Sequence, residues 1–181
     1  MKGGARHRSA THPGTKLRRV NWPDELATVR RLFEEYRAWI ADHQDPSPAA
    51  RSRVRAGLAE IDRLIAGLPG AYGPPKGDVI LAFAKESVVA CGALRELERG
   101  IGEIKRIYVR ADHRGPGFGP RLTGALLDRA LELGYERIRV DTLPTMTAAI
   151  EFYQKMGFGP IPAFWSHPVE GARFFERVLV D

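Results

Sequence analysis

Apolar residues recur every three or four positions in two early segments of the chain, which is the period of an amphipathic helix. The first segment begins near Pro23, a residue that suits the first turn of a helix, and runs to about Ile40. The second follows a break at residues 45–48 and ends before a loop at residues 67–77 that is rich in glycine and proline. A short strand over residues 16–20 is predicted ahead of both helices.

After this loop the pattern changes to one that is typical of strands. Two β-rich runs separated by a short turn predict a hairpin, and a third run follows them; these runs are residues 79–84, 88–94 and 101–110. The rest of the chain predicts a helix that stops at Gly134, then a strand, a helix and a final antiparallel pair, over residues 137–142, 144–156, 161–165 and 173–180. This order predicts one mixed α/β layer structure without internal repeats.

The charge is concentrated at the N-terminus. Residues 1–20 contain six lysines and arginines and no acid, which equals the formal net charge of +6 for the whole chain. We therefore expect a disordered basic tail over residues 1–15, either merely solvated or a weak anion-binding arm, and a single domain over residues 16–181. The rest of the chain is neutral and has no aromatic-and-basic surface pattern, so no specific nucleic-acid partner is predicted.

Several common functional classes find no support in the composition. No apolar run approaches the roughly 20 residues that span a bilayer, and the N-terminus lacks an apolar signal-peptide core. The single cysteine, Cys91, lies in an apolar run, so we expect a buried structural thiol in a reducing compartment. The five histidines show no ligand spacing, so no metal is expected. The prediction is a cytoplasmic protein without a membrane partner.

A glycine-rich turn, Arg114–Gly119, lies between a predicted strand and a predicted helix. Glycines let the backbone approach an anion closely, and the start of the helix presents unpaired N–H groups and a positive dipole end. The turn does not match a dinucleotide motif, since the third glycine position counted from Gly115 is Pro120, and no phosphate-loop motif of NTPases is present. Taken alone, the turn is either a pyrophosphate site or purely structural.

Two strings of residues resemble consecutive motifs of the GNAT superfamily of CoA-dependent N-acyltransferases. Glu103–Arg110 followed by Arg114–Gly119 is similar to the central motif, whose turn reads Q/R-x-x-G-x-G/A. Ala149–Phe158 looks like the next motif, A-x-x-x-Y-x-x-x-G-F. Over about residues 16–180 the resemblance implies an α/β fold whose predominantly antiparallel sheet has a splayed parallel central strand pair and helices on both faces.

The resemblance also implies acetyl-CoA as the co-substrate. Its pantetheine arm would pair with the backbone of Ile107, Tyr108 and Val109. Its pyrophosphate would lie on the turn formed by Arg114, Gly115, Pro116, Gly117, Phe118 and Gly119. Many members carry an asparagine that binds this arm seven residues before the motif tyrosine. Here that position is Met146, so the contact is replaced by backbone or water, or is absent.

By the same resemblance the reaction is direct attack of a primary amine on the thioester. Tyr153 matches the tyrosine that protonates the CoA sulfur, and Glu103 matches a general-base glutamate. Strand alternation is expected to put Glu103 on the same face as Lys105, Ile107 and Val109. The alternatives are helix–sheet packing for Tyr153, and for Glu103 an ion pair with Lys105 or a neighbouring strand.

The acceptor is predicted to be a small-molecule amine, because the first two helices and the loop that follows them carry apolar bulk, namely Tyr36, Trp39, Leu68 and Tyr72. Arg95, like Arg106, suits a carboxylate on the acceptor, although Arg95 also has Glu96 and Glu98 as nearby ion-pair partners. Asp141 either faces the substrate or caps the following helix. A protein N-acetyltransferase and a non-catalytic acyl-CoA-binding regulatory module remain alternatives, for a monomer or a homodimer.

Overall fold

Seven strands form a mixed sheet in the computed structural model, which describes residues 15–42, 51–115, 117–166 and 169–180. The strands in chain order are β1 Thr15–Arg19, β2 Asp78–Ala84, β3 Ser87–Glu98, β4 Ile101–Val109, β5 Arg137–Thr142, β6 Gly159–Pro160 and β7 Arg173–Val178. In the sheet they follow the order β1-β2-β3-β4-β5-β7-β6. Within the described residues β4 and β5 pair in parallel, and the other neighbours pair antiparallel. The predicted sheet type is therefore confirmed.

Helices cover both faces of this sheet, as predicted. They are α1 Leu26–Asp42, α2 Arg51–Ala66, α3 Phe118–Glu132 and α4 Thr147–Lys155. The apolar stripes of α1 and α2 are buried against one face, in a core that includes Val29, Phe33, Ile61, Leu81 and Ala93. Those of α3 and α4 are buried against the other face, in a core that includes Leu122, Leu126, Ile138, Val140 and Tyr153.

Strand alternation explains why β3 is buried on both faces. Cys91 and Ala93 point to the α1–α2 face, whereas Ala90 and Leu94 point to the α3–α4 face. Cys91 is fully buried, and burial raises the pKa of its thiol to about 12. The prediction of a buried, structural thiol is therefore confirmed, since a reactive cysteine requires an accessible thiolate.

A β-bulge in β4 interrupts this alternation. Ala93 pairs with Lys105 and Cys91 pairs with Tyr108, so β4 has one residue more than β3 between these two pairs. Arg106 lies inside the bulge with a backbone φ of 58°, which is uncommon for a residue with a Cβ atom. The Cys91 thiol donates a hydrogen bond to the Arg106 carbonyl oxygen at 3.7 Å.

Because of the bulge, the predicted orientation of the β4 side chains is only partly right. Glu103 and Lys105 do share a face, but Ile107 and Val109 pack into the opposite core, with α3. Tyr108 instead lies on the Glu103 side, where its ring meets that of Tyr36 at 6.3 Å between centroids. Strict alternation fails because the extra residue shifts every later side chain to the other face.

Several predicted boundaries also differ. Residues 161–165 do not form a strand: β6 stops at Pro160, and Pro162 has no N–H with which to continue the ladder. Helix α1 begins at Leu26 rather than near Pro23, and α4 begins at Thr147, after a turn in which the Met146 N–H bonds to the Leu143 carbonyl at 3.0 Å. The predicted tail falls almost wholly on residues 1–14, which lie outside the described residues, and remains a prediction.

Candidate active site

Strands β4 and β5 separate beyond their first three residue pairs. Their pairing ends at Glu103 with Arg139, although β4 continues to Val109 and β5 to Thr142. Ile107 and Tyr108 therefore lie where β4 has no strand beside it on this edge within the described residues. Backbone polar groups need partners when they are buried, so this edge is suited to an extended ligand with amide groups.

A cavity of about 250 Å³ lies at this separation and reaches both faces of the sheet. Its lining includes Tyr36 and Trp39 from α1, Lys105, Arg106 and Ile107 from β4, Gly119 from α3, Asp141 and Thr142 from β5, and Phe152 and Tyr153 from α4. Aromatic and aliphatic side chains supply most of this wall, and a few charged groups are placed within it. Small-molecule sites commonly have this composition.

The glycine-rich turn lies at one end of the cavity, directly ahead of α3. Gly115 and Gly117 have φ angles of 141° and 139°, a region that favours glycine. Gly119 is in the first turn of α3 and lines the cavity, yet a Cβ atom there would meet no protein atom within 4 Å. The fold itself therefore does not require a glycine at this position, whereas close approach of a ligand would.

The Arg114 side chain contacts Val109 and Trp39 in this structure, whereas the sequence predicted a contact with the pyrophosphate. Its Nε donates to the Val109 carbonyl at 3.1 Å, and its guanidinium carbon lies 5.0 Å from the centre of the Trp39 ring. Phe118, the first residue of α3, packs edge-on against His113. Pro116, also predicted in this site, lies outside the described residues.

Tyr153 reaches the cavity from α4 and is 8% exposed. Its ring packs against Phe152, Phe158 and Phe175, with centroid distances of 5.3, 5.6 and 6.2 Å. Burial, assisted by the nearby Tyr36 and Asp141, raises the pKa of the phenol well above its usual value. The hydroxyl therefore keeps its proton at neutral pH and has one to donate.

Four charged side chains form a largely buried ion-pair cluster at the wall of the cavity: Arg95, Glu103, Lys105 and Asp141. The Arg95 Nε lies 2.6 Å from Glu103 Oε2, and the Lys105 Nζ lies 3.2 Å from Glu103 Oε1 and 2.7 Å from Asp141 Oδ1. Burial alone would lower the pKa of Lys105, but Asp141 and Glu103 outweigh it and raise that pKa. The cluster therefore holds two positive and two negative charges and is neutral.

This cluster changes the interpretation of two predicted residues. Glu103 has no exposed surface and is not among the residues that line the cavity, so direct contact with a bound amine has no support. Arg95 pairs with Glu103 rather than with Glu96 or Glu98, and it does not line the cavity either. Asp141 does line it, which fits the predicted substrate-facing position rather than a helix cap.

Some lining residues were missed by the sequence analysis. Trp165 lies with its ring centre 4.8 Å from the Lys105 Nζ, and it belongs to a segment that was predicted as a strand. Glu60 lines the wall from α2, on a helix that was read only for its apolar face. Met146, whose position the resemblance had already associated with the pantetheine arm, also contributes to the lining, and its sulfur accepts a hydrogen bond from the Thr142 hydroxyl at 3.6 Å. No sequence pattern brings Trp165 and Glu60 to this cavity, because tertiary packing alone does so.

Neither a metal site nor a membrane-spanning helix is found in the part of the chain that the structure describes. There, no group of three or more His, Cys, Asp or Glu side chains is arranged to hold a metal ion. In the same residues, no helix has the length and apolarity needed to cross a bilayer.

A glycine-rich turn at the opening between two splayed parallel strands defines an acyltransferase-like site, and comparison with known proteins identifies the family. Residues 20–158 match the sequence model of the acetyltransferase (GNAT) family. An N-acetyltransferase of Schizosaccharomyces pombe, itself uncharacterized, is 30% identical over 152 residues, which cover 83% of this chain and 86% of that protein. The chain therefore belongs to the GNAT acetyltransferase family, and the predicted family and enzyme class are confirmed.

Solved structures share the fold at lower sequence identity. The PaiA N-acetyltransferase of Thermoplasma acidophilum, in complex with coenzyme A, has a TM-score of 0.67 and 15% identity, covering 91% of this chain and 98% of its own. The YncA protein of Salmonella typhimurium, described as a putative acetyltransferase with its cofactor acetyl-CoA, has a TM-score of 0.62 and 16% identity, covering 92% and 94%. Both support the fold.

Proposed function

We propose that this protein transfers the acetyl group of acetyl-CoA to the primary amine of a small molecule, inside the cavity between β4 and β5. The observation that supports this most is the cavity itself, which joins the glycine-rich turn, a buried protonated phenol and a wall of aromatic residues. The structures of PaiA and YncA, with coenzyme A and acetyl-CoA respectively, support the choice of donor.

The donor would lie along β4 and the start of α3. Its pantetheine amides would pair with the backbone of Ile107 to Val109, beyond the last β5 pair. The pyrophosphate would lie on the turn from Arg114 to Gly119, where the N–H groups of Phe118 and Gly119 are at the positive end of α3. Arg114 would leave Val109 and Trp39 to reach the phosphates.

Chemistry begins when a neutral amine attacks the thioester carbonyl carbon. The new C–N bond forms, the C–S bond breaks, and the departing thiolate takes the proton of the Tyr153 hydroxyl. The nitrogen of the new amide then loses its extra proton, which restores that hydroxyl. An ordinary alkylamine with a pKa of about 10.4 must first lose a proton, at a cost of about 4.6 kcal/mol at pH 7. We assign the acceptance of that proton to Asp141, since it lines the cavity and Glu103 does not.

Glu103 would then act indirectly. It bonds to Arg95 and Lys105, and Lys105 in turn holds Asp141. A carboxylate held between two cations fixes the position of both. We propose that Glu103 is a positioning residue for Lys105 and Asp141.

The donor site is tested by thermal denaturation with acetyl-CoA. A ligand at 100 times its Kd stabilises the folded state by about 2.7 kcal/mol, which raises Tm by roughly 5–10 °C for a chain of this size. Gly119→Leu is expected to abolish this shift, because its side chain would project into the cavity.

Gly124→Leu is the matched control. Gly124 lies on the same helix and also has no atom within 4 Å of an added Cβ, but it does not line the cavity. It is expected to keep the full shift. Equal shifts in wild type and both variants would show that the donor binds elsewhere.

A further inference from the structure

The β4 bulge turns an arginine toward the α1–α2 side of the cavity. Lys105 lies on the α1–α2 face, and regular alternation would send the next residue to the α3 face. Instead, Arg106 adopts a φ of 58°, lines the same cavity and places its guanidinium carbon 5.3 Å from the centre of the Tyr36 ring on α1. Two adjacent cationic residues therefore point to one face.

These two cations differ in their partners. Lys105 is paired with Asp141 and Glu103 within the neutral ion-pair cluster. Among the described residues no carboxylate forms an ion pair with Arg106, whose side chain bonds to that of Tyr36. Its Nε atom is buried and has no hydrogen-bond partner among these residues. Asp141 attracts Arg106 but is held by Lys105 rather than by Arg106, so a guanidinium that is removed from water at this position still favours an anionic ligand.

The anionic group that Arg106 would bind lies apart from the phosphates of acetyl-CoA. The turn suited to pyrophosphate lies at the start of α3, whereas Arg106 contacts Tyr36 of α1 on the other face of the sheet. A planar guanidinium fits a carboxylate through two parallel N–H donors. The cavity measures about 250 Å³, which suits a compact acceptor.

We infer that the acceptor amine carries a carboxylate and that Arg106 binds it. The substrate class is then small amino acids or related amino carboxylates, held with the carboxylate at Arg106 and the amine toward the thioester. This inference rests on the proposed function, and it adds the chemical class of the acceptor to it.

The experiment compares matched acceptors with the wild-type enzyme. Each amino acid in a panel is measured beside its own carboxamide, which has the same amine but no negative charge. We expect kcat/KM to be roughly 100-fold higher for the carboxylate, the range that loss of one charged hydrogen-bonding partner produces. The difference should lie mainly in the acceptor's KM.

Arg106→Gln is expected to reduce this preference to about threefold or less, and Arg106→Lys to retain part of it. Arg137→Gln is the matched control, because Arg137 is half exposed and pairs with Glu176 outside the cavity, and it should keep the full preference. The thermal shift with acetyl-CoA, measured on each variant, reports that the donor site is intact.

Other outcomes would overturn the inference. Turnover of amines with no preference for the carboxylate in wild type contradicts it and leaves the proposed function standing. An Arg106→Gln variant that slows carboxylates and carboxamides equally also contradicts it. Absence of turnover with every amine would contradict both the proposed function and this inference. The wild-type comparison decides the question even if the variants do not fold.

Discussion

Replacing Tyr153 with phenylalanine is expected to lower kcat by roughly 100-fold or more and to leave the KM for acetyl-CoA within about threefold of wild type. The substitution keeps the ring that packs against Phe152, Phe158 and Phe175 and removes only the hydroxyl. Because burial raises the pKa of this phenol, the proton is present throughout the neutral and mildly alkaline range. Steady-state measurement of thiol release checks the result.

Tyr135→Phe is the matched control for this substitution. Tyr135 is also a buried tyrosine, but its hydroxyl donates to the Lys76 carbonyl at 2.7 Å, away from the cavity. It is expected to lose about 1 kcal/mol of stability and to keep its kcat. An unchanged kcat in Tyr153→Phe would assign Tyr153 to packing alone.

Glu103→Gln is expected to destabilise the fold by about 3–5 kcal/mol, which lowers Tm by roughly 10 °C. Glu103 is fully buried and neutralises Arg95 and Lys105. Removal of its charge leaves an excess positive charge in the ion-pair cluster, next to the cavity that Arg106 also lines. Thermal or denaturant unfolding measures the loss.

Glu98→Gln is the control that separates the effect of losing a buried charge from the effect of losing an exposed one. Glu98 pairs with Arg139 at 3.1 Å, but its side chain is 59% exposed, so its loss should cost less than about 1 kcal/mol. A direct base would behave differently from a positioning residue. If Glu103→Gln kept its Tm and lost nearly all of its kcat, the role as general base would be supported and the positioning role would be wrong.

The fold and the location proposed for the donor were both predicted from local patterns in the sequence. The turn at Arg114–Gly119 and the segment Ala149–Phe158 each lie within one stretch of chain, where spacing predicts which groups face a ligand. Hydrophobic periodicity likewise predicted the four helices and most strands. The fold predictions succeeded because each depends on residues that are near one another in sequence, and the donor site stays a prediction.

The acceptor side was less predictable, because it depends on one bulge and on tertiary contacts. No residue type marks Arg106 as the extra residue of β4, yet it decides which face Ile107 and Val109 occupy. The ion-pair cluster joins β3, β4 and β5, and its partners were only partly foreseeable: an ion pair of Glu103 with Lys105 or with a neighbouring strand was one alternative, but Arg95 was not identified as the partner on that strand. The apolar pattern predicted a strand over residues 161–165, but the strand there is β6, which ends at Pro160, two residues before Pro162.

The central claim is acetyl transfer to a small amine within this cavity, and the rate of thiol release from acetyl-CoA tests it most directly. The acceptors compared are free amino acids, simple alkylamines and basic peptides. We expect turnover of one or more small amines, with kcat/KM at least about tenfold above that of any peptide. Turnover of peptides alone would indicate a protein N-acetyltransferase. Acetyl-CoA binding without turnover of any amine would indicate a regulatory module, and either result would contradict the proposed function.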